Sequence, residues 1–133
     1  PGFQEWVVFH REQYLRYLLS ALQTLSDYFR LVGKFELAHK YAYRLVNLDP
    51  IDESSQRRLM VVLAMSGKRA AALEQFHTCR RVLQSELGVE PSIETVTVYE
   101  KIKIGEALRV DTGTLKRVNL PAQLPRSMDG SLN

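Results

Sequence analysis

The sequence predicts an all-α protein: a tetratricopeptide-like, right-handed stack of about five helices, made of two helix pairs and a closing helix. Three observations carry that expectation. Apolar residues recur every three or four positions through most of the chain to Leu108, and no segment shows the alternation of a strand. Glycine breaks fall at Ser66-Gly67-Lys68 and at Gly88, where a residue of positive φ would end a helix without a Cβ clash. The pattern also recurs at an offset of 34 residues. That shift carries Gly67-Lys68 onto Gly33-Lys34, Ala72 onto Ala38, Leu59 onto Leu25 and Leu63 onto Phe29. It is the period of tetratricopeptide helix pairs, whose small residues mark close helix crossings.

Taken in order, Pro1 to Glu5 reads as a lead-in, and the first helix is expected from about Trp6 to Val32. Leu15, Leu18, Leu19, Leu22, Leu25, Phe29 and Val32 form its stripe. Trp6, Val7, Val8 and Phe9 give it an apolar start that suits an anchor against the stack or a neighbouring domain. The second helix is expected over Phe35 to Asn47, with Ala38, Tyr41, Ala42, Leu45 and Leu48 inward. Asp49-Pro50 reads as the start of the third: Asp accepts from free N–H groups of the first turn, and Pro at the first position loses no bond. That helix would run to Met65 and bury Leu59, Val62 and Leu63. The fourth, Arg69 to about Leu87, uses Ala72, Leu73, Phe76, Cys79, Val82 and Leu83. Gly88 stops it, and Pro91 or Ser92 starts a fifth that buries Ile93, Val96, Tyr99 and Ile102 and ends near Leu108. Residues 1–109 are thus expected to form one domain. Residues 110–133, broken by Pro121 and Pro125, read as an extended linker or tail.

Composition narrows the function classes. The 133 residues suffice for one domain with a core, and 45% hydrophobic with 25% charged residues is ordinary for a soluble globular protein. A net charge of +3, spread among acidic residues, is too mild for a DNA-contacting face. A single cysteine excludes an internal disulfide and suits a reducing cytoplasm. No stretch approaches the roughly 18 apolar residues of a membrane span, and no signal-peptide pattern opens the sequence. It begins Pro-Gly-Phe rather than with Met, and the expectation is a piece of something longer.

Few residues suggest chemistry. Glu36-Leu-Ala-His39 and Glu74-Gln-Phe-His77 have the Glu-x-x-His spacing of di-iron bundles, but the repeat shift takes Glu36 to Ala70, out of register, and the core stripes hold no further carboxylates. No metal, cofactor or enzymatic role is expected, and no phosphate-binding glycine loop is present. Basic doublets recur at Arg57-Arg58, Lys68-Arg69 and Arg80-Arg81. They read either as solvated helix faces or as a surface that pairs with acidic groups on another domain. In the second case Arg57, Arg58, Arg80 and Arg81 are the candidate interaction residues, with Arg58 and Arg81 turned outward from the buried stripes. The structural frame is Gly33, Ala38, Asp49, Pro50, Gly67, Ala72, Gly88 and Pro91.

One set of residues carries a family resemblance. Leu48-Asp49-Pro50-Ile51-Asp52-Glu53, Arg57-Arg58-Leu59-Met60 and Ala64-Met65-Ser66-Gly67-Lys68-Arg69 continue into Glu86-Leu87-Gly88-Val89-Glu90-Pro91-Ser92 and Glu94-Thr95. Together they resemble the bacterial transcriptional activator domain, the helical partner of a winged-helix DNA-binding domain in antibiotic-regulatory-protein-type regulators. The resemblance covers about Phe3 to Leu108. It extends at the front to Phe3-Gln4-Glu5-Trp6 and Arg11-Glu12, which resemble the junction following the winged helix. At the back, Asn119-Leu120-Pro121-Ala122-Gln123-Leu124-Pro125 resembles the linker into a nucleotide-binding module, and the match ends there. The resemblance implies a cytoplasmic interaction or effector domain. Its partners would be proteins: its own winged helix, a second copy, or RNA polymerase, with DNA reached only through the parent protein. A stand-alone tetratricopeptide adaptor for a peptide or protein tail is the alternative.

Overall fold

The computed structural model describes residues 2–105. Five helices follow one another: α1 (Gly2–Leu31), α2 (Phe35–Leu48), α3 (Glu53–Met65), α4 (Arg69–Leu87) and α5 (Ile93–Lys103). There is no strand among the described residues. Each helix packs on the next from α1 to α4, and α5 lies against both α3 and α4. The result is the all-α, tetratricopeptide-like stack of two pairs and a closing helix.

The 34-residue repeat is visible in the backbone hydrogen bonds. At the end of α1, Lys34 N–H reaches Phe29 O at 2.8 Å and Gly33 N–H reaches Arg30 O at 3.2 Å. At the end of α3, Lys68 N–H reaches Leu63 O at 2.8 Å and Gly67 N–H reaches Ala64 O at 3.1 Å. Both are the two-bond Schellman termination, and it needs a left-handed residue. Gly33 has φ +80° and Gly67 +83°. Each turn then starts the next helix alike, with Ala38 N–H on Lys34 O and Ala72 N–H on Lys68 O. Ala38 and Ala72 are fully buried. Ala38 lets α1 come close enough for Ser26 Oγ to donate to the Ala38 carbonyl at 3.0 Å.

The core joins Ala42, Val46, Leu59, Met60, Leu63, Ala72, Phe76 and Ile102. Phe76 stacks on Tyr99, with ring centres 4.1 Å apart, and this pins α5 to α4. The completely buried Cys79 thiol is pushed up to about 11 by burial and, secondarily, by the charge of Glu53, so it stays protonated at neutral pH.

Several boundaries and facings differ from the sequence reading. The supposed lead-in is helical from Gly2. Asp49-Pro50 does not open α3. Asp49 caps the end of α2, and Pro50 sits in a turn closed by Asp52 N–H on Asp49 O. The cap of α3 is Asp52, which accepts from Ser54 N–H and from Ser55 Oγ at 2.7 Å. Ser92 caps α5, directly after Pro91, and Gly88 ends α4 in the left-handed region. Helix α5 stops at Lys103, not near Leu108, and Ile93 is exposed rather than inward. Val32 and Leu48 are exposed too, while Val46 and Met60, missing from the predicted stripes, belong to the core. The expected linker over 110–133 lies outside the described residues.

Candidate interaction surface

Helix α1 has 30 residues and its partner α2 only 14. At 1.5 Å per residue α1 is about 45 Å long against about 21 Å. Only Leu22 and Ser26 of α1 are buried, both in its C-terminal half. The N-terminal half therefore runs past the stack. The apolar start does not anchor on the stack: Trp6, Val8 and Phe9 are each about half exposed or more. Val8 and Leu15 lie on the same side of α1 as Leu22, because seven residues make two turns. They prolong the core face into a region where, among the described residues, Val8 stays 50% and Leu15 42% exposed.

The four candidate arginines separate into two pairs. Arg58 does not point outward. Its guanidinium grips Asp27 of α1 through Nε at 2.9 Å and Nη2 at 3.2 Å, and the two side chains are only 18% and 15% exposed. Arg30 approaches the same carboxylate at 3.7 Å. Burial lowers its pKa, Asp27 works against that, and Arg58 adds to it. Arg58 Nη1 is buried and has no acceptor among the described residues.

Arg57 is turned toward α5, where Nη1 donates to Thr95 Oγ1 at 2.9 Å. Glu53 completes this knot. Its Oε1 accepts from Thr95 Oγ1 at 2.6 Å, Ser92 N–H at 2.9 Å and Ser92 Oγ at 3.0 Å. Burial alone would raise the Glu53 pKa. The hydrogen bonds from Thr95 and Ser92, with Arg57 nearby, outweigh it and hold the carboxyl below its ordinary value.

Arg80 and Arg81 remain on the exposed side of α4. Arg80 pairs with Glu90 at 3.0 Å, and Arg81 meets Thr78 and, at 3.9 Å, Glu74. Both pairs are more than half exposed, so each adds little to stability. Stacking the repeats thus does not bring all four arginines onto one face. Two are spent as internal locks of α3, and two lie open among carboxylates.

The Glu-x-x-His residues also part. Glu36 and His39 line the cleft between the two glycine turns, beside Lys34 and Lys68. Burial and then the Lys68 charge lower the His39 pKa. His77 packs edge-on against Tyr99 in the other repeat. Among the described residues no three His, Cys, Asp or Glu side chains are grouped to hold a metal.

The family model of the bacterial transcriptional activator domain matches residues 2–103, which span every helix of the stack. The chain belongs to that family. Among curated relatives, this activator domain is 31% identical over 70 residues to the transcriptional regulatory protein MoaR1 of Mycobacterium bovis. It is 36% identical over 73 residues to the regulatory protein AfsR of Streptomyces griseus. The aligned stretches cover 53% and 55% of this chain but only 22% of MoaR1 and 7% of AfsR. No solved structure gives a significant match. The family is named for transcriptional activation, and both relatives are regulatory proteins by name. No helix among the described residues is long and apolar enough to cross a membrane.

The signal that would have revealed the Asp27–Arg58 lock is faint. Asp27 and Arg30 sit three apart on α1, a spacing that fits one helix face, but nothing in the sequence ties either to Arg58, 31 residues away from Asp27.

Proposed function

We propose that this activator domain is the interaction module of a cytoplasmic bacterial transcriptional regulator. It holds a DNA-binding winged helix at one end and passes that domain's state to a second copy or to the transcription machinery. The overhang of α1 carries this reading. A helix that continues its core face, through Val8 and Leu15, beyond its own partner presents an apolar strip left about half exposed among the described residues. A domain preceding α1 in the parent regulator would be delivered against that strip. Arg80 and Arg81 remain as the polar part of the contact surface, reduced from the four arginines of the sequence reading.

The test is binding of the parent regulator's winged-helix domain to the 133-residue chain. Val8→Asp with Leu15→Asp should weaken it at least about 100-fold, equivalent to about 2.7 kcal/mol. Melting of the chain should be unchanged, because neither side chain is buried in it. Undiminished binding would remove the overhang from this role. Arg80→Glu with Arg81→Glu should leave that binding intact and lower transcription from a target promoter by the full-length regulator. Unchanged transcription would return both arginines to the solvated surface.

A further inference from the structure

Helix α1 carries a second face that the core does not use. At 3.6 residues per turn, Phe3, Trp6, His10, Tyr14, Tyr17 and Ala21 fall within about 80° of one another, and the centre of that strip lies about 120° round the helix from Leu22. Phe3 is 75%, Trp6 57%, Tyr14 69% and Tyr17 71% exposed. The rings already order along the helix: Phe3 stacks on Trp6 at 6.3 Å, and Trp6 leans on His10 at 4.2 Å. Glu5, Arg11, Glu12 and Arg16 all project from other sides. The strip is thus aromatic and free of Asp, Glu, Lys and Arg.

We infer that this aromatic strip is the seam of a two-fold symmetric dimer, in which α1 of one molecule lies antiparallel on α1 of a second copy of this chain. Three properties select a second copy as occupant. First, a surface without formal charge meets its own image without opposing like charges, which is what a two-fold interface requires. Tyr hydroxyls both donate and accept, so two identical strips can satisfy each other's polar tips. Second, the four rings leave open about 600 Å² per molecule, taking about 150–250 Å² for each full ring. Covering both copies removes about 1,200 Å², the lower edge of a specific stable interface. Third, the helix packed on α1 is α2, which sits against the face of Leu22 and Ser26 and carries α3 to α5 behind it, so the strip is turned away from the packed face of α1. Antiparallel helices also set their dipoles in the favourable sense.

The inference gives residues to the self-association part of the reading above. It does not depend on the winged-helix contact, which uses the Val8 and Leu15 side. Sedimentation equilibrium of the 133-residue chain tests it, together with emission from Trp6, the single tryptophan. The expected result is a dimer at about 100 µM, with Trp6 emission moving to shorter wavelength as concentration rises. Tyr14→Glu with Tyr17→Glu should weaken dimerisation at least about 100-fold and leave the melting curve in place. Val8→Asp with Leu15→Asp should leave the dimer intact. A chain that stays monomeric with constant Trp6 emission overturns the inference, and this readout needs no variant. So does a dimer that tolerates the two glutamates, or one that breaks only with the Val8 and Leu15 pair. Loss of winged-helix binding in the tyrosine pair without loss of a dimer would give the strip to that domain instead.

Discussion

Reversing Arg58 separates a structural arginine from a surface one. In Arg58→Glu a carboxylate would replace the guanidinium that now holds Asp27 at 2.9 and 3.2 Å, with both side chains more than four-fifths covered. Removing one partner from a buried pair costs about 3–5 kcal/mol, because the other charge is left without compensation. Asp27 keeps Arg30, at 3.7 Å, which lowers the loss toward the bottom of that range. The new Glu adds like-charge repulsion, and the lost stem adds packing. A net loss of about 3 kcal/mol follows, and for a domain of this size about 10–15 °C in melting temperature. Arg81→Glu changes a side chain that is 66% exposed and loosely paired, and its melting temperature should move by less than about 2 °C. Thermal unfolding followed by circular dichroism at pH 7 gives both values. The cycle of Asp27→Asn, Arg58→Met and the double variant gives their coupling directly. Equal shifts for the two reversals, or a coupling near zero, would refute the assignment of Arg58 to the interior of the stack.

Two further outcomes follow from the same contacts. Glu53→Gln should destabilise the domain by about 1–2 kcal/mol, since three donors converge on one carboxylate oxygen. Glu53 titrates below its ordinary value of 4.5 when folded, so its stabilisation is complete above about pH 4.5 and is lost as the pH falls through the folded pKa. Stability measured from pH 7 down to pH 3 should drop more steeply in the parent than in Glu53→Gln, and parallel curves would dismiss the knot. Gly67→Val should cost about 1–2 kcal/mol from the left-handed backbone alone, because a Cβ there meets no atom within 4 Å. Ala72→Asp, at a fully buried crossing, should exceed it by several kcal/mol, and a reversed order in urea unfolding would mean the crossing is loose.

Glycine and alanine positions were legible in the sequence because one backbone need fixes each. Gly33, Gly67 and Gly88 take positive φ, and Ala38 and Ala72 fill crossings with no room for more. The start of α3 was misread because Leu48-Asp49-Pro50-Ile51-Asp52 contains two aspartates that each suit a cap. Pro50 fits the second position of a turn as well as the first turn of a helix. Ser55, donating to Asp52 at 2.7 Å, decides between them.

The facing of Arg58 was misread for a different reason. Leu59, Val62 and Leu63 define one stripe, and a helix with one stripe has an opposite, solvated side. But α3 is an inner element, packed on α2, α4 and α5 at once. Ser55, Gln56 and Met60 are buried with the leucines, so little of it faces water. Its polar residues are satisfied internally: Gln56 donates to Pro50 O at 2.9 Å and accepts from Gln75 at 2.7 Å. The Gln56–Gln75 and Glu53–Thr95 locks join residues 19 and 42 positions apart and obey no period, so no spacing rule finds them.

The same limit explains why the apolar start of α1 reads from sequence equally as an anchor on the stack or on a neighbouring domain. Periodicity records that a face is apolar, not what covers it. Leu22 and Leu15 occupy equivalent sites two turns apart, yet Leu22 is 3% exposed and Leu15 42%. What separates them is the length of the neighbour: α2 ends its contact before α1 ends its stripe. A helix twice as long as its partner, with its apolar pattern kept over the excess, carries in one period both core residues of this domain and the exposed face proposed above as the seat of another. Reading the pattern against the lengths of adjacent helices, rather than along one helix, is the step that separates Leu15, expected in the stripe but exposed, from Leu22, which the stack buries.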